Sequence, residues 1–209
     1  TLVWFDTSCN KEKIKNFHIV PLDVPKQIID YLKKNYSKKK NNNNLAGHIK
    51  DEFIYEKIPS YVSNFFLQQL SNPLLQEVSN QTNVLSSSKP YYIDDLWINK
   101  QKKYEFNPIH DHSGIFTWII FLKIPYNLKD EDKVFADTSI PSRTSRLCFL
   151  VHDYLGKIME LVINVDKSFE GKMLMFPAKL QHMVYPFYTS NKERITVSGN
   201  IKLYVEWKI

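Results

Sequence analysis

The chain has 209 residues, 43% of them hydrophobic and 14% aromatic, and a formal net charge of +6. That much apolar side chain supports a real core and a globular protein, while only five glycines argue against collagen-like or Gly-rich chemistry. No apolar run approaches the ~20 residues of a membrane helix. The first residues lack the basic-then-apolar plan of a signal peptide. Cys9 and Cys148 are the two cysteines and suggest no disulfide framework, so a cytoplasmic setting is expected (the host cytoplasm if the protein is viral).

In chain order, residues 2–5 and 17–20 are short apolar runs around a charged turn and read as a strand pair at a sheet edge. Asp23 reads as an N-cap with Pro25 in the first turn, and Ile28, Ile29, Leu32 and Tyr36 follow at helical spacing. Lys33, Lys34, Lys38, Lys39 and Lys40 hold much of the positive charge beside the Asn41 to Asn44 run. This segment reads as a solvated loop; a nucleic-acid partner is the sharper alternative, but no binding motif accompanies it.

Ser60 reads as the cap of a second helix whose apolar stripe is Tyr61, Phe65, Phe66, Leu67 and Leu70. Asn72-Pro73 restarts the pattern as cap and first helical residue, with Leu74, Leu75 and Val78 behind it. After Pro90 the segments become short, β-branched and aromatic. Strands are expected near 91–99, 104–112, 115–124, 145–152, 158–165, 172–176, 182–188 and 194–206. The loop 126–144, with its acidic run Asp130-Glu131-Asp132, is a candidate specificity element. The plan is one compact domain, mainly β: a strand and helix region over 1–89, packed on an all-β sandwich or barrel over 90–209.

Within that β half, His110 and His112 sit two positions apart just ahead of the apolar run Ile115 to Leu122. Residues i and i+2 of a strand share a face, so both imidazoles aim at one point while Asp111 points away. Two neutral imidazoles make half a site for a borderline transition metal. His182, at the start of the distant strand Met183-Val184-Tyr185-Pro186-Phe187, is the candidate third ligand. A lone histidine is more often a satisfied polar residue, and His18, His48 and His152 are read that way.

The last strand alternates. Arg194, Thr196, Ser198 and Asn200 share one face, and Ile195, Val197 and Ile201 the other. An inward guanidinium with a hydroxyl two residues on makes a carboxylate clamp; the bland alternative is a surface arginine beside Glu193.

The chain resembles the 2-oxoglutarate and Fe(II)-dependent oxygenases over residues 90–206. The resemblance rests on His110-Asp111-His112, His182 and Arg194-Ile195-Thr196. It is more specific to a branch common in marine phages and bacteria, through Trp97-Ile98-Asn99, Asn107-Pro108-Ile109-His110-Asp111-His112-Ser113-Gly114, Phe176-Pro177 and His182-Met183-Val184-Tyr185-Pro186-Phe187. The fold it implies is a double-stranded β-helix, the jelly-roll core of cupin-like proteins. The cofactors it implies are Fe(II) and 2-oxoglutarate. One departure stands out: where the family carries a carboxylate ligand, this chain has His112. His110, His112 and His182 are the preferred ligands. Asp111 is the fallback, if a β-bulge turns it inward.

By resemblance, 2-oxoglutarate chelates the iron through its keto acid end, and its distal carboxylate reaches Arg194 and Thr196. Asn99, Tyr92 and Trp118 are candidate pocket residues, with Trp118 more at home in the core. The expected activity is a dioxygenase that hydroxylates a C–H bond. Its substrate is open among a protein side chain, an amino acid, a nucleobase and a small metabolite. Two other classes compete: a three-His cupin-type dioxygenase without 2-oxoglutarate, and a non-catalytic jelly-roll binding module. The cupin reading leaves Arg194 without a task.

Overall fold

The computed structural model describes residues 16–38, 40, 47–81, 91–138 and 142–204. The strand expected at residues 2–5, Cys9 and the asparagine run Asn41 to Asn44 lie outside the described residues.

Ten strands, four short α-helices and two single-turn 3-10 helices, Gln69–Ser71 and Lys167–Phe169, are among the described elements. In order they are β1 (Val20–Asp23), α1 (Lys26–Lys34), β2 (Glu52–Ile54), α2 (Ser60–Gln68) and α3 (Pro73–Gln81). Then come β3 (Tyr91–Gln101), β4 (Asn107–His110), β5 (Phe116–Lys123), α4 (Leu128–Lys133) and β6 (Leu147–His152). The last are β7 (Ile158–Ile163), β8 (Lys172–Pro177), β9 (His182–Val184) and β10 (Arg194–Leu203). A six-stranded sheet has the order β1-β8-β5-β10-β3-β2, and a four-stranded sheet the order β4-β9-β6-β7. All recorded pairings are antiparallel, and the two sheets form the jelly roll.

β5 is buried from Phe116 to Leu122 because it lies inside the large sheet with both faces covered. That burial explains an unbroken apolar run where a half-exposed strand would alternate. Ile119 and Phe121 face the small sheet, packing with Phe149, Val151, Leu161 and Ile163. Trp118, Ile120 and Leu122 face the other way, onto Ile28 and Leu32 of α1, Val62 and Phe66 of α2, and Leu75 of α3. Trp118 and Phe66 stack with ring centroids 4.2 Å apart. The helices thus cap the outer face of the large sheet and leave its inner face to the pocket.

Helix starts follow local chemistry with small shifts. Asn72 caps α3 as expected, its Oδ1 accepting from Leu74 N at 3.1 Å. Pro25, not Asp23, precedes α1, because Asp23 is taken up by the β1 pairing with β8. Pro59 occupies the cap position of α2, so Ser60 is the first helical residue. The stretch 126–144 holds α4, capped by Asn127 Oδ1 accepting from Lys129 N at 2.9 Å. None of the described helices is long and apolar enough to cross a membrane.

Candidate active site

The small sheet positions the histidines. His110 ends β4 and lies directly opposite His182 on β9, with ring centroids 4.3 Å apart. His112 lies two residues past the strand end, where its backbone N–H donates to Ala178 O at 2.9 Å. Its ring centroid is 5.0 Å from that of His110 and 5.1 Å from that of His182. One ring nitrogen from each of the three lies within 4.8 Å of the others.

The surroundings select the form a metal needs. His110 Nδ1 is 2.7 Å from Pro108 O, and His182 Nδ1 is 3.0 Å from Leu180 O. A carbonyl only accepts, so each Nδ1 carries the proton and each Nε2 keeps its lone pair for coordination. Burial lowers the pKa of all three. His112 falls to about 4, with the neighbouring His110 as second cause, and His182 goes well below the usual histidine range. All three imidazoles are therefore neutral at neutral pH, the form that could coordinate a metal. Asp111 lines the same pocket, but its carboxylate pairs with Lys179 Nζ at 3.0 Å and is not part of the three-histidine cluster. The strand irregularity falls between Asn107 and His110, upstream of Asp111.

The large sheet supplies the opposite wall. Its pairing puts Gln101 beside Arg194, Asn99 beside Thr196, and Trp97 beside Ser198. Phe121 and Ile119 extend the Thr196 and Ser198 rows on β5, and Glu52 extends the Asn99 row on β2. Cross-strand neighbours share a face, and all these side chains line the pocket that holds the three histidines. Trp97 lies against the His112 ring, with centroids 5.6 Å apart.

Arg194 is buried at 3% exposure. Its Nε and Nη2 both donate to Gln101 Oε1. Its Nη1 donates to Tyr126 Oη at 3.1 Å and to Ser145 O at 2.9 Å. Every one of these acceptors is neutral, and among the described residues no carboxylate pairs with the guanidinium. A buried cation without a counter-charge is costly, and a bound carboxylate would offset that cost. The donor sets thus fit both groups: three neutral imidazoles suit a first-row divalent metal such as Fe(II), and the unneutralised guanidinium suits a dicarboxylate.

Of the residues singled out by sequence, His110, Asp111, His112, His182, Arg194, Thr196 and Asn99 line one pocket. Tyr92 does not join them. It lies toward the far end of β3, 38% exposed, with its ring edge-on to Tyr204. Trp118 is fully buried in the helix-side core. Gln101 and Glu52 are pocket residues that sequence reasoning passed over. Gln101 follows from the period of two that starts at Asn99. Glu52 had no such signal, because only the β2 pairing with β3 brings it in.

The profile of a family described as "Putative 2OG-Fe(II) oxygenase" matches residues 95–200. No protein of curated function matches the chain in sequence. Among solved structures, one similar fold is an oxidoreductase of the 2OG-Fe(II) oxygenase family from Burkholderia pseudomallei. It has 11% identity and a TM-score of 0.50, over 97% of this chain and 92% of that one. Another is a prolyl-4-hydroxylase from Pseudomonas putida, with 12% identity and a TM-score of 0.51, over 91% of this chain and 95% of that one.

Proposed function

Since the chain belongs to the 2OG-Fe(II) oxygenases, enzymes that use Fe(II) and 2-oxoglutarate, we propose that it hydroxylates a C–H bond of its substrate in the pocket between the two sheets. His110, His112 and His182 are the metal ligands in this reading, and Arg194 with Thr196 receives the distal carboxylate of 2-oxoglutarate. The observation that carries it is the pairing, in one pocket, of three imidazoles clustered within 4.8 Å with a buried guanidinium that has no acidic partner among the described residues.

The bound pair supplies the oxidising chemistry, in which 2-oxoglutarate and O2 yield succinate, carbon dioxide and the hydroxylated product. The protein's part is positioning and exclusion. Pro108 O and Leu180 O orient the imidazoles of His110 and His182. Tyr126 and Ser145 hold the guanidinium in place from the side away from Gln101. Phe121, Ile119, Leu147, Val165 and Val184 give the pocket an apolar lining that keeps water from the reacting centre.

The test is an anaerobic titration of the Fe(II)-loaded protein with 2-oxoglutarate, reading the visible absorption the two give together. Wild type is expected to develop the band, His182→Ala to lose it with the metal, and Arg194→Ala to need far more 2-oxoglutarate. Iron bound without any band would remove 2-oxoglutarate from the reading.

A further inference from the structure

Glu52 is 2% exposed and yet lines the pocket. It reaches the pocket because β2 adds to the edge of the large sheet with Glu52 opposite Asn99. Among the described residues no donor bonds its carboxylate. Two amide oxygens stand beside it. Asn99 Oδ1 and Asn107 Oδ1 are both buried without a hydrogen-bond partner, and both residues line the same pocket. Gly47 brings two of these groups together: a Cβ built there would lie 2.2 Å from Asn107 Oδ1 and 3.4 Å from Glu52 Oε1.

We propose that Glu52, Asn99 and Asn107 form a substrate-binding wall, and that the substrate presents a cationic nitrogen, an ammonium or a guanidinium, to it. The inference rests on the reading of this pocket as an oxygenase active site.

The chemistry of the wall is one-sided. With Glu52 ionised, its carboxylate and the two amide oxygens all accept, so the complementary ligand is a donor with several N–H groups, and a cationic one would favour that ionised form. A buried carboxylate also needs a positive partner to offset its lost hydration. Glu105 adds a second negative charge close by, the second cause after burial that raises the Glu52 carboxyl. The nearby lysines Lys40 and Lys102 are held on Asp51. The wall borders the anion-binding side: Thr196 lies opposite Asn99 in the Glu52 row, and Arg194, beside Gln101, lies in the next row on the same face. One pocket thus offers a cation to the cosubstrate and an anion to the substrate. Asn107 shares β4 with His110, which sets the bound nitrogen near the metal ligands.

The test is calorimetric binding on the full chain, metal-free and, separately, loaded with Fe(II) and 2-oxoglutarate under anaerobic conditions. The probes are L-lysine, L-arginine, Ac-Gly-Lys-Gly-NH2 and Ac-Gly-Arg-Gly-NH2, with the N-acetyl amides of L-norleucine and L-citrulline, which carry no ammonium, as neutral counterparts. At least one cationic probe is expected to bind, with its neutral counterpart about tenfold weaker or worse. Glu52→Gln, which keeps shape and loses charge, is expected to weaken the cationic probe by about tenfold or more, and Glu52→Asp to retain part of the binding. Preference for the free amino acid or for the tripeptide distinguishes a small-molecule substrate from a protein side chain. Absence of binding by all four cationic probes overturns the proposal. So does equal binding of the neutral counterparts, or a Glu52→Gln protein that binds as wild type does. The absorption band separates the two readings. A normal band without cation binding sinks this inference alone, and cation binding without a band sinks the oxygenase reading alone.

Discussion

Arg194 turns one edge of its guanidinium, Nε and Nη2 together, onto a single neutral acceptor, Gln101 Oε1. That edge is the one a carboxylate would grip with both oxygens. Gln101 therefore stands in for an anion, and it is itself anchored, its Nε2 donating to Glu105 O at 2.5 Å. The arrangement keeps the buried cation satisfied without neutralising it.

A direct consequence concerns affinity. If Gln101 competes for the fork, Gln101→Ala removes the competitor and 2-oxoglutarate binds more tightly. The gain should match one or two modest hydrogen bonds, about 1 kcal/mol, or roughly fivefold in Kd. Anaerobic titration of the two proteins side by side checks it. A weaker Kd in the variant would mean that Gln101 supports the cosubstrate instead.

Arg194→Lys keeps the charge and loses the fork. A lysine ammonium cannot span both oxygens or reach Gln101, Tyr126 and Ser145 at once. The expected effect is a rise in the 2-oxoglutarate Kd of about tenfold or more, with metal binding unchanged. Equal Kd values would move the cosubstrate's carboxylate elsewhere.

Glu52 couples stability to pH. Burial first, and the charge of Glu105 second, raise its carboxyl from 4.5 to about 7. A carboxyl raised on folding favours the protonated folded state. Its stabilising effect is complete below about pH 4.5 and is lost as pH rises through about 7. At 1.36 kcal/mol per unit, the swing is about 3 kcal/mol. Denaturant midpoints measured from about pH 5 to pH 8 should fall more in wild type than in Glu52→Gln. Parallel profiles would rule out Glu52 as the source.

Glu131 is a structural carboxylate. It is fully buried on α4 and accepts from Tyr188 N at 3.0 Å, Thr189 N at 2.8 Å and Thr189 Oγ1 at 2.5 Å. These bonds pin the segment that leads into Arg194 and β10. Glu131→Ala leaves three donors unmatched and is expected to destabilise the fold by about 3 kcal/mol or more. Chemical denaturation reads the loss, and a change below about 0.5 kcal/mol would show that water replaces the carboxylate.

Gly199 marks a close approach. A Cβ there would lie 2.3 Å from the Trp118 ring and 2.7 Å from Asp95 O. Gly199→Ala forces Trp118 out of its stack on Phe66 and should cost about 1–3 kcal/mol. A melting temperature equal to wild type would contradict the tight contact.

The sequence by itself determined the β architecture and the main chemistry. Eight expected strands from residue 91 onward recur as β3 to β10 with shifted ends, because period-two patterning and turn residues are local signals. The Arg-x-Thr face was legible for the same reason, since neighbours at i and i+2 on a strand share a face; the histidine pair was legible by its spacing, but His112 lies past the end of β4 and is held by its backbone bond to Ala178. The tertiary structure decided everything that depends on register between distant segments. His182 meets His110 because β9 pairs with β4 at those residues. Glu52 enters the pocket through one short edge strand. Tyr92 falls outside it, toward the far end of β3, although Asn99 on the same strand lies within. Local pattern says which way a side chain points; only strand pairing says what it points at.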